Sequence, residues 1–553
     1  MKIAIGQINP TVGDLAGNTA KICDQIDLAR NVGADLIVFG ELSVVGYPPR
    51  DLLRKEGFIE DSLEAVTKIA GTCTGIAALV GFVQESQGVM HNAVAFLADG
   101  KIRSIIYKSL LPTYDVFDEA RYFAPADHSE VIEVAGVKVG VAICEDMWDQ
   151  QALGKKLYDV DPVGRLVDLG AKVIVNPAAS PFETGKARVR EELFARQARR
   201  TNCPIVYANL TGGNDQLIFD GCSSITTASG DVVARAKSFA EDMIVAEFDE
   251  QNSLAPAPGE RIEPIAEPML RLKTALEMGI RDYVQKCGFR SVVLGLSGGI
   301  DSAVVAALAA NALGADNVVG IAMPSRHSSD HSVADAKQLA ENLGCRFELI
   351  EIEPMHNAFE TQLDGALTGK GAKVACENIQ ARIRGALVMA FSNAQGHMAL
   401  ATGNKSEIAV GYCTLYGDMC GGLAPIGDVL KTQVFQLARF INTQAGREII
   451  PENTINKPPS AELSPGQLDQ DSLPEYDVLD KILRMSIEQN KVAGEIIEAG
   501  FDAELVLRVA RMVDLSEFKR QQAAGVLKVS PKAFGMGRRI PIAQRFRQTC
   551  RQK

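Results

Sequence analysis

The feature that most constrains the fold is an α/β alternation that occurs twice along the chain, with a proline-rich break between the two halves. In each half, short apolar strand-like runs alternate with helical segments. The break, NSLAPAPGERIEPIAEP at 252–268, has no hydrophobic periodicity, as is typical of a linker. A chain of 553 residues is also too long for a single hydrophobic core. The sequence therefore predicts two α/β domains, residues 1–249 and 269–553, joined by a linker at 250–268.

Composition and charge exclude several classes of partner. The net charge is −12 and no basic cluster is long enough for a nucleic-acid surface. The chain has no run of about 18 apolar residues, and its first residues, MKIAIGQINP, form a strand pattern rather than a signal peptide. The eleven cysteines include no C-x-x-C pair, which favours reduced thiols over disulfides or a zinc site. We therefore expect a cytoplasmic protein whose partners are small molecules, without a nucleic acid or a membrane.

Three strand-like runs in the first half end on side chains that could form a nucleophilic site. ADLIVFGE ends on Glu41, IRSIIYK on Lys108 and VKVGVAIC on Cys144. Sites in α/β folds gather beyond the carboxyl ends of strands. A carboxylate base, a thiol nucleophile and an ammonium that stabilises the thiolate and an oxyanion would suit acyl transfer. Spacing alone leaves open the alternative of a packed cysteine with two solvated charges.

The residues around these three positions resemble the nitrilase-type amidases, which carry a Glu-Lys-Cys triad. The segments FGELSVVGYPPRDLL, YKSLLPTYDVFDEARYF and CEDMW are most similar to the glutaminase domain of glutamine-dependent NAD synthetases. The resemblance implies an α-β-β-α sandwich in which Glu41 is the general base, Lys108 the stabilising cation and Cys144 the nucleophile. It also implies four residues around the glutamine: Tyr114, Glu119, Ser180 and Lys186. Some relatives carry arginine at the last position, and lysine lacks its bidentate fork.

The motif GLSGGIDSA, residues 295–303, lies between a strand-like run and an alanine-rich helix in the second half. Backbone N–H groups and the helix dipole favour an anion at such a helix start. The lysine of a P-loop is absent, because Gly299 is followed by Ile300 and Asp301. The motif instead resembles the PP-loop of ATP pyrophosphatases, which cleave ATP between its α- and β-phosphates. The resemblance implies that ATP is bound by Gly295, Leu296, Ser297, Gly298, Gly299, Ile300, Asp301 and Ser302, and that Asp301 binds Mg²⁺ through oxygen.

Later blocks in the second half resemble the catalytic domain of NAD synthetases. They are ENIQARIRG at 377–385, ATGNKSEIAVGYCTLYGD at 401–418, PIGDVLKTQV at 425–434, PSAELSPGQLDQDSLPEYDVLD at 459–480 and SEFKRQQ at 516–522. Asparagine, GMP and argininosuccinate synthetases share the PP-loop but not these blocks. The resemblance implies a Rossmann-like parallel sheet with flanking helices, a further ATP contact at Thr402, and deamido-NAD contacts at Asn378, Glu407 and Lys519. Glu407 would also lie near Mg²⁺.

Two features of the second half do not indicate a single function. Arg382 and Arg384 could pair with phosphates, pair with carboxylates at a subunit interface, or form a solvated helix face. Residues 450–475 are polar and proline-rich, which predicts an ordered arm over a site rather than core.

The two resemblances together imply one reaction. ATP, deamido-NAD and glutamine would give AMP, pyrophosphate, NAD and glutamate through an adenylated intermediate, in a homo-oligomer of two or more subunits. One alternative is another amidating PP-loop enzyme that acts on a different acid. A non-catalytic nucleotide sensor is the other, and the set of Glu41, Lys108 and Cys144 disfavours it because a sensor needs no glutaminase.

Overall fold

A computed structural model describes residues 1–248, 254–257 and 260–548 of the chain. The chain divides into two compact units, Met1–Pro268 and Met269–Lys553. The boundary predicted at residue 249 and the linker residues 250–253 and 258–259 lie outside the described residues. Within the segment predicted as a linker, residues Leu254–Pro256 form a strand that pairs with the preceding one. Among the described residues no helix is long and apolar enough to cross a membrane.

The first unit contains two large sheets with helices on their outer faces. Its helices are α1 Leu15–Asn31, α2 Phe58–Thr72, α3 Gln150–Leu153, α4 Pro162–Asp168 and α5 Lys186–Thr201. Its strands are β1 Lys2–Gln7, β2 Leu36–Phe39, β3 Ala77–Ser86, β4 Val89–Ala98, β5 Lys101–Tyr107, β6 Val131–Val134, β7 Val137–Val141, β8 Val173–Ala178, β9 Ile205–Asn209, β10 Thr211–Asn214, β11 Leu217–Asp220, β12 Ser224–Thr226, β13 Val232–Arg235, β14 Asp242–Phe248 and β15 Leu254–Pro256. One sheet has the order β15-β14-β1-β2-β3-β4-β5 and the other β13-β12-β9-β8-β7-β6.

The period-two pattern of the central strands explains why the two sheets stack. Along β1, Ile3 and Ile5 pack in a core shared with Val139 of the other sheet, whereas Ala4 packs with Ile22 of α1. Successive side chains of a strand point to opposite faces, so a continuous apolar strand needs a partner layer on each side. The result is the predicted nitrilase-type α-β-β-α sandwich, which is confirmed.

The second unit is built on a parallel sheet with flanking helices. Its helices are α6 Pro268–Lys286, α7 Ile300–Leu313, α8 Asp330–Leu343, α9 Glu353–Gln362, α10 Ala372–Gln395, α11 Lys405–Val410, α12 Lys431–Ala445, α13 Glu452–Asn456, α14 Tyr476–Leu483, α15 Ala493–Glu498, α16 Ala503–Leu515 and α17 Glu517–Arg520. Its strands are β16 Val292–Gly295, β17 Val318–Ala322, β18 Arg346–Leu349, β19 Met398–Ala399, β20 Leu423–Ala424 and β21 Gly525–Val526.

The order of the main sheet, β18-β17-β16-β19, determines where a site can form in this unit. All of its pairings are parallel, so the carboxyl ends of the strands meet at one edge. The segments that begin at Leu296, Met323 and Leu400 therefore start side by side. The predicted Rossmann-like parallel sheet is confirmed, although β19 has only two residues.

Candidate active sites

A buried ammonium lies between two carboxylates in the first unit. Lys108 Nζ donates to Glu41 Oε1 at 2.6 Å and to Glu119 Oε2 at 2.8 Å and Oε1 at 2.9 Å. The side chains of Lys108 and Glu41 are 0% and 1% exposed, and that of Glu119 is 5% exposed. Three predicted site residues, far apart in sequence, thus form one charged cluster.

Cys144 lies three residues beyond β7, at the start of a one-turn 3-10 helix, Cys144–Met147. Its φ is +44°, in the left-handed region that costs a non-glycine residue about 1–3 kcal/mol. The carboxylate of Asp146 supports the turn by accepting the N–H of Ile143 at 3.0 Å and that of Leu110 at 2.7 Å. Because Leu110 follows Lys108 closely, Asp146 links the segment that carries the cysteine to the one that carries the lysine.

The charges of this cluster affect the pKa of the Cys144 thiol. Burial raises the pKa of Cys144 well above its usual value, and Glu41 raises it further, whereas Lys108 lowers it. Burial also raises the pKa of Glu119 to about 7. Burial alone would lower the pKa of Lys108, but Glu119 and Glu41 outweigh it, so the ammonium stays charged. The resting thiol is therefore protonated, and a base has to remove its proton before it can attack.

Three further groups hold the carboxylates, and the sequence did not single them out. Asn92 Nδ2 donates to Glu41 Oε1 at 2.7 Å, and the N–H of Ala179 donates to Glu41 Oε2 at 3.0 Å. The Tyr47 hydroxyl donates to Glu119 Oε1 at 2.8 Å. Tyr47 stands in the quoted segment FGELSVVGYPPRDLL, whereas Asn92 lies inside β4 with no motif to mark it.

One of the predicted glutamine-binding residues, Tyr114, contacts a further carboxylate, Glu145. The hydroxyl of Tyr114 donates to Glu145 Oε1 at 2.9 Å, and that of Tyr158 donates to the same oxygen at 3.0 Å. Ser180 is buried, and its N–H donates to the Asn209 side chain at 2.9 Å.

Lys186, the last of the predicted glutamine-binding residues, is the first residue of α5. Its Nζ lies 5.6 Å from the centroid of the Trp148 ring, which comes four residues after Cys144. The lysine therefore lies close to the CEDMW segment, which contains Cys144. The fold brings these residues together, because they are far apart in the sequence.

The second unit contains a cavity of about 550 Å³ at the carboxyl edge of its sheet. Eleven of the twelve residues predicted to bind ATP, deamido-NAD or Mg²⁺ line it, which are Gly295, Leu296, Ser297, Gly299, Ile300, Asp301, Ser302, Asn378, Thr402, Glu407 and Lys519. Gly298 is the exception. Its φ is +74°, and a Cβ at this position would lie 2.2 Å from the backbone oxygen of Ser332, so it packs the loop against α8.

The loop before α7 is held by its own serines. The hydroxyl of Ser302 donates to the carbonyl of Gly299 at 3.0 Å, and the N–H of Gly299 donates to Ser297 Oγ at 3.2 Å. The 14-residue helix α7 then begins at Ile300, so its dipole is directed at the cavity.

Asp301 and Glu407 converge on one cation, Lys431, the first residue of α12. Lys431 Nζ donates to Asp301 Oδ2 and, at 2.9 Å, to Glu407 Oε1. Asn404 Nδ2 also donates to Asp301 Oδ1 at 2.8 Å. Burial raises the pKa of Glu407 to about 8, an effect that the charge of Lys431 opposes. No role for Lys431 was predicted from the sequence, although the quoted block PIGDVLKTQV contains it.

Two other predicted residues of this cavity, Asn378 and Lys519, form hydrogen bonds with the segment that follows α11. Asn378 Oδ1 accepts the hydroxyl of Thr414 at 2.8 Å. Lys519 Nζ donates to the carbonyls of Gly411 at 2.8 Å and Cys413 at 2.7 Å. These carbonyls follow the end of α11, where the helix dipole is negative.

The predicted arm lies over this cavity. Residues 457–463 line it, and Glu462 accepts the Ser332 hydroxyl at 2.7 Å and the Ser329 hydroxyl at 3.1 Å, at the start of α8. On the other side, the carbonyl of Leu463 accepts Gln380 Nε2 of α10 at 3.0 Å. The arm is therefore fastened to two helices across the cavity.

Comparison with known proteins matches the two halves of the chain to two protein families. The carbon-nitrogen hydrolase family matches residues 2–254, and the NAD synthase family matches residues 272–523. The glutamine-dependent NAD(+) synthetase of Synechocystis sp. is 48% identical, with 98% of this chain and 99% of that protein covered. The chain belongs to the glutamine-dependent NAD(+) synthetase family.

Two further members of the family support the match along the whole length. The glutamine-dependent NAD(+) synthetase of Thermotoga maritima is 40% identical, with 99% of each chain covered. A solved structure of the Acinetobacter baumannii glutamine-dependent NAD⁺ synthetase, in complex with ADP, has a TM-score of 0.78 and 39% identity, and 98% of each chain is covered. The predicted family and fold are thus confirmed.

Proposed function

We propose that the protein amidates deamido-NAD to NAD at the expense of ATP, with ammonia released from glutamine. The observation that carries the proposal is the presence of two candidate sites in one chain of this family. The charged cluster of Lys108 lies in the first unit, and the cavity lined by Asp301 and Glu407 in the second. We assign glutamine hydrolysis to residues 1–249 and NAD synthesis to residues 269–553.

In the glutaminase reaction, Glu41 takes the proton of the Cys144 thiol, and the thiolate attacks the side-chain amide carbon of glutamine. Lys108 stabilises the resulting oxyanion, because it is a buried cation that stays charged. The tetrahedral intermediate collapses to a thioester and releases ammonia, which takes up a proton that Glu41 returns. Water then cleaves the thioester to give glutamate and restores the thiol. Glu119 holds Lys108 in place throughout.

We assign the recognition of glutamine to the residues near Cys144. Tyr114, Ser180 and Lys186 would bind the backbone groups of the amino acid. Lys186 supplies a cation for the α-carboxylate, in keeping with its position at the start of α5, where the helix dipole also favours an anion. A lysine makes this contact as a point charge rather than through a planar fork.

In the synthetase reaction, the carboxylate of deamido-NAD attacks the α-phosphorus of ATP, and pyrophosphate leaves. Ammonia then attacks the adenylated carbonyl carbon, AMP leaves, and the amide loses a proton. The loop of residues 295–302 would hold the phosphates, with Thr402 as a further ATP contact. Asn378, Glu407 and Lys519 would bind deamido-NAD.

The residues of the cavity fit a bound Mg²⁺ ion. Asp301 and Glu407 already share one cation, the Lys431 ammonium, and carboxylate oxygens are the ligands that Mg²⁺ prefers. Within the described residues no group of three or more His, Cys, Asp and Glu side chains could hold a metal, so the phosphates of ATP would supply the remaining oxygens. When bound, the ion would neutralise charge on these phosphates.

The replacement Cys144→Ala tests the division between the two sites. We expect it to abolish NAD formation from glutamine and to leave NAD formation from an ammonium salt at the wild-type rate. The measurement is NAD produced from ATP, Mg²⁺ and deamido-NAD with either nitrogen source. Cys203→Ala, at a buried cysteine of the same unit, is the control. Loss of ammonium-dependent synthesis in a folded Cys144→Ala protein would contradict the proposal.

We also propose a homo-oligomer of two or more subunits in the cytoplasm. The resemblance to the family supports the homo-oligomer. The absence of disulfides among the ten cysteines of the described residues supports the cytoplasmic location. Light scattering at several protein concentrations tests the oligomeric state.

A further inference from the structure

The cavity of the second unit is lined by more carboxyl groups than cationic side chains. Six carboxylates line it: Asp301, Glu377, Glu407, Asp418, Glu462 and Asp469. Four cations line it among the described residues: Arg384, Lys431, Lys457 and Lys519. The substrates of the proposed function are themselves polyanions, so the cations that remain available to them decide where phosphates can bind.

Three of these cations already bind other groups of the protein. Lys431 lies between Asp301 and Glu407. Lys457 donates to the Ser332 hydroxyl at 3.0 Å and lies 3.9 Å from Asp335. Lys519 donates to two backbone carbonyls.

Arg384 is different from the other three. It lies on α10 and donates its Nε to the carbonyl of Met323, just beyond the end of β17, at 2.9 Å. Within the described part of the chain no carboxylate lies within ion-pair distance of it, and no bond engages its terminal amino groups. Glu462 acts on Arg384 at longer range, while its own carboxylate is hydrogen-bonded to Ser329 and Ser332. Burial lowers the pKa of Arg384 to about 10, so it is still charged at neutral pH.

The place of Arg384 favours a phosphate over other anions. Its anchor, Met323, is next to the loop of residues 295–302, because a Cβ on Gly295 would lie 3.1 Å from Met323 Cε. The planar guanidinium presents its two terminal amino groups as a fork that matches two oxygens of one phosphate. With Nε fixed on a carbonyl, the fork is held in one orientation.

We propose that Arg384 is a phosphate-binding residue of this cavity and that its terminal amino groups bind a phosphate of one of the two nucleotide substrates. The proposal rests on the proposed function, which brings ATP and deamido-NAD into this cavity. A phosphate of either substrate has the required chemistry, and the experiment distinguishes between them.

The test measures binding rather than turnover, with the full chain carrying Arg384→Lys or Arg384→Gln. Calorimetry gives the Kd of ATP with Mg²⁺ and of deamido-NAD, and then of adenosine and nicotinic acid riboside, which lack phosphates. We expect both variants to weaken at least one nucleotide about 10- to 100-fold, the usual loss for a bidentate charged contact, and to leave the nucleosides unchanged. Arg439→Lys, on α12 and outside the cavity lining, is the matched control.

Every outcome of this experiment either supports or overturns the proposed phosphate contact of Arg384. Weakening of ATP alone, of deamido-NAD alone, or of both, with unchanged nucleosides, supports the proposal and names the source of the phosphate. Unchanged nucleotide affinities overturn it. An equal loss for nucleosides and nucleotides also overturns it, because Arg384 then only shapes the cavity through Met323. NAD formation by the wild-type protein is measured separately, so failure of the proposed function would be visible on its own.

Discussion

The two sites use the same arrangement of residues, a buried lysine between two carboxylates. Lys108 lies between Glu41 and Glu119, and Lys431 between Asp301 and Glu407. Removal of one partner from a buried charge cluster leaves the other charges uncompensated, at a cost of about 3–5 kcal/mol. Because well-packed apolar side chains often stabilise a fold at least as well, both clusters are candidates for a chemical role.

The replacement Lys431→Met tests this at the residue scale. We expect the free energy of unfolding of the second unit to fall by up to about 3–5 kcal/mol, because Asp301 and Glu407 then lose the buried cation that lies between them. We also expect millimolar Mg²⁺ to stabilise the variant more than the wild type, since the ion can replace the ammonium. Denaturant unfolding with and without Mg²⁺ measures both effects.

Lys337→Met is the control for this experiment, because Lys337 is 65% exposed on α8 and lies 3.9 Å from Glu341. Equal stabilities of Lys431→Met and Lys337→Met would show that the bridge adds little, as is usual for exposed ion pairs.

The central part of the arm predicted at 450–475 is the segment of residues 457–469. It has little regular structure, so contacts at a few points fix its position over the cavity. Glu462 makes the contacts with α8, and its φ of +48° shows that the backbone is bent there into a conformation that is uncommon for glutamate. The arm is therefore held by side-chain bonds rather than by a core of its own.

The replacement Glu462→Ala tests the attachment of the arm to α8. Without the bonds to Ser329 and Ser332, the arm should be detached from α8 about 10-fold more often. The reason is that a hydrogen bond to a charged group contributes about 1.5–3 kcal/mol. Hydrogen exchange at the backbone amides of residues 457–469 should accelerate accordingly, and the KM for ATP should rise more than kcat falls. The exposed Glu504→Ala on α16 is the control. Unchanged exchange in Glu462→Ala would show that other contacts hold the arm.

At the scale of the whole molecule, two compact units each carry one site on a sheet of their own. In the first unit the site residues follow strands of two stacked sheets, whereas in the second they follow neighbouring strands of one parallel sheet. We therefore expect each candidate site to react independently of the other.

The replacements Asp301→Asn and Glu407→Gln test this independence. We expect them to abolish NAD formation from glutamine and from ammonium alike, because either change removes a charge that Mg²⁺ requires. Hydrolysis of glutamine in the absence of the other substrates should stay at the wild-type rate. Glutamate and pyrophosphate are measured in parallel. A parallel loss of glutamate formation would show that the first site depends on these residues.

The sequence by itself determined the fold class and the family, and it predicted most of the residues that we assign to the two candidate sites. Strand and helix patterns have short periods, and motifs such as GLSGGIDSA place their side chains through a local turn, so both can be read over a few residues. Tertiary structure alone decided which charges meet. Lys431 joins Asp301 across the unit, Asn92 reaches Glu41 from the middle of a strand, and the fork of Arg384 has no partner among the residues that the structure describes. These contacts depend on how distant elements pack, and the energy of a buried charge is set by neighbours that no local pattern records.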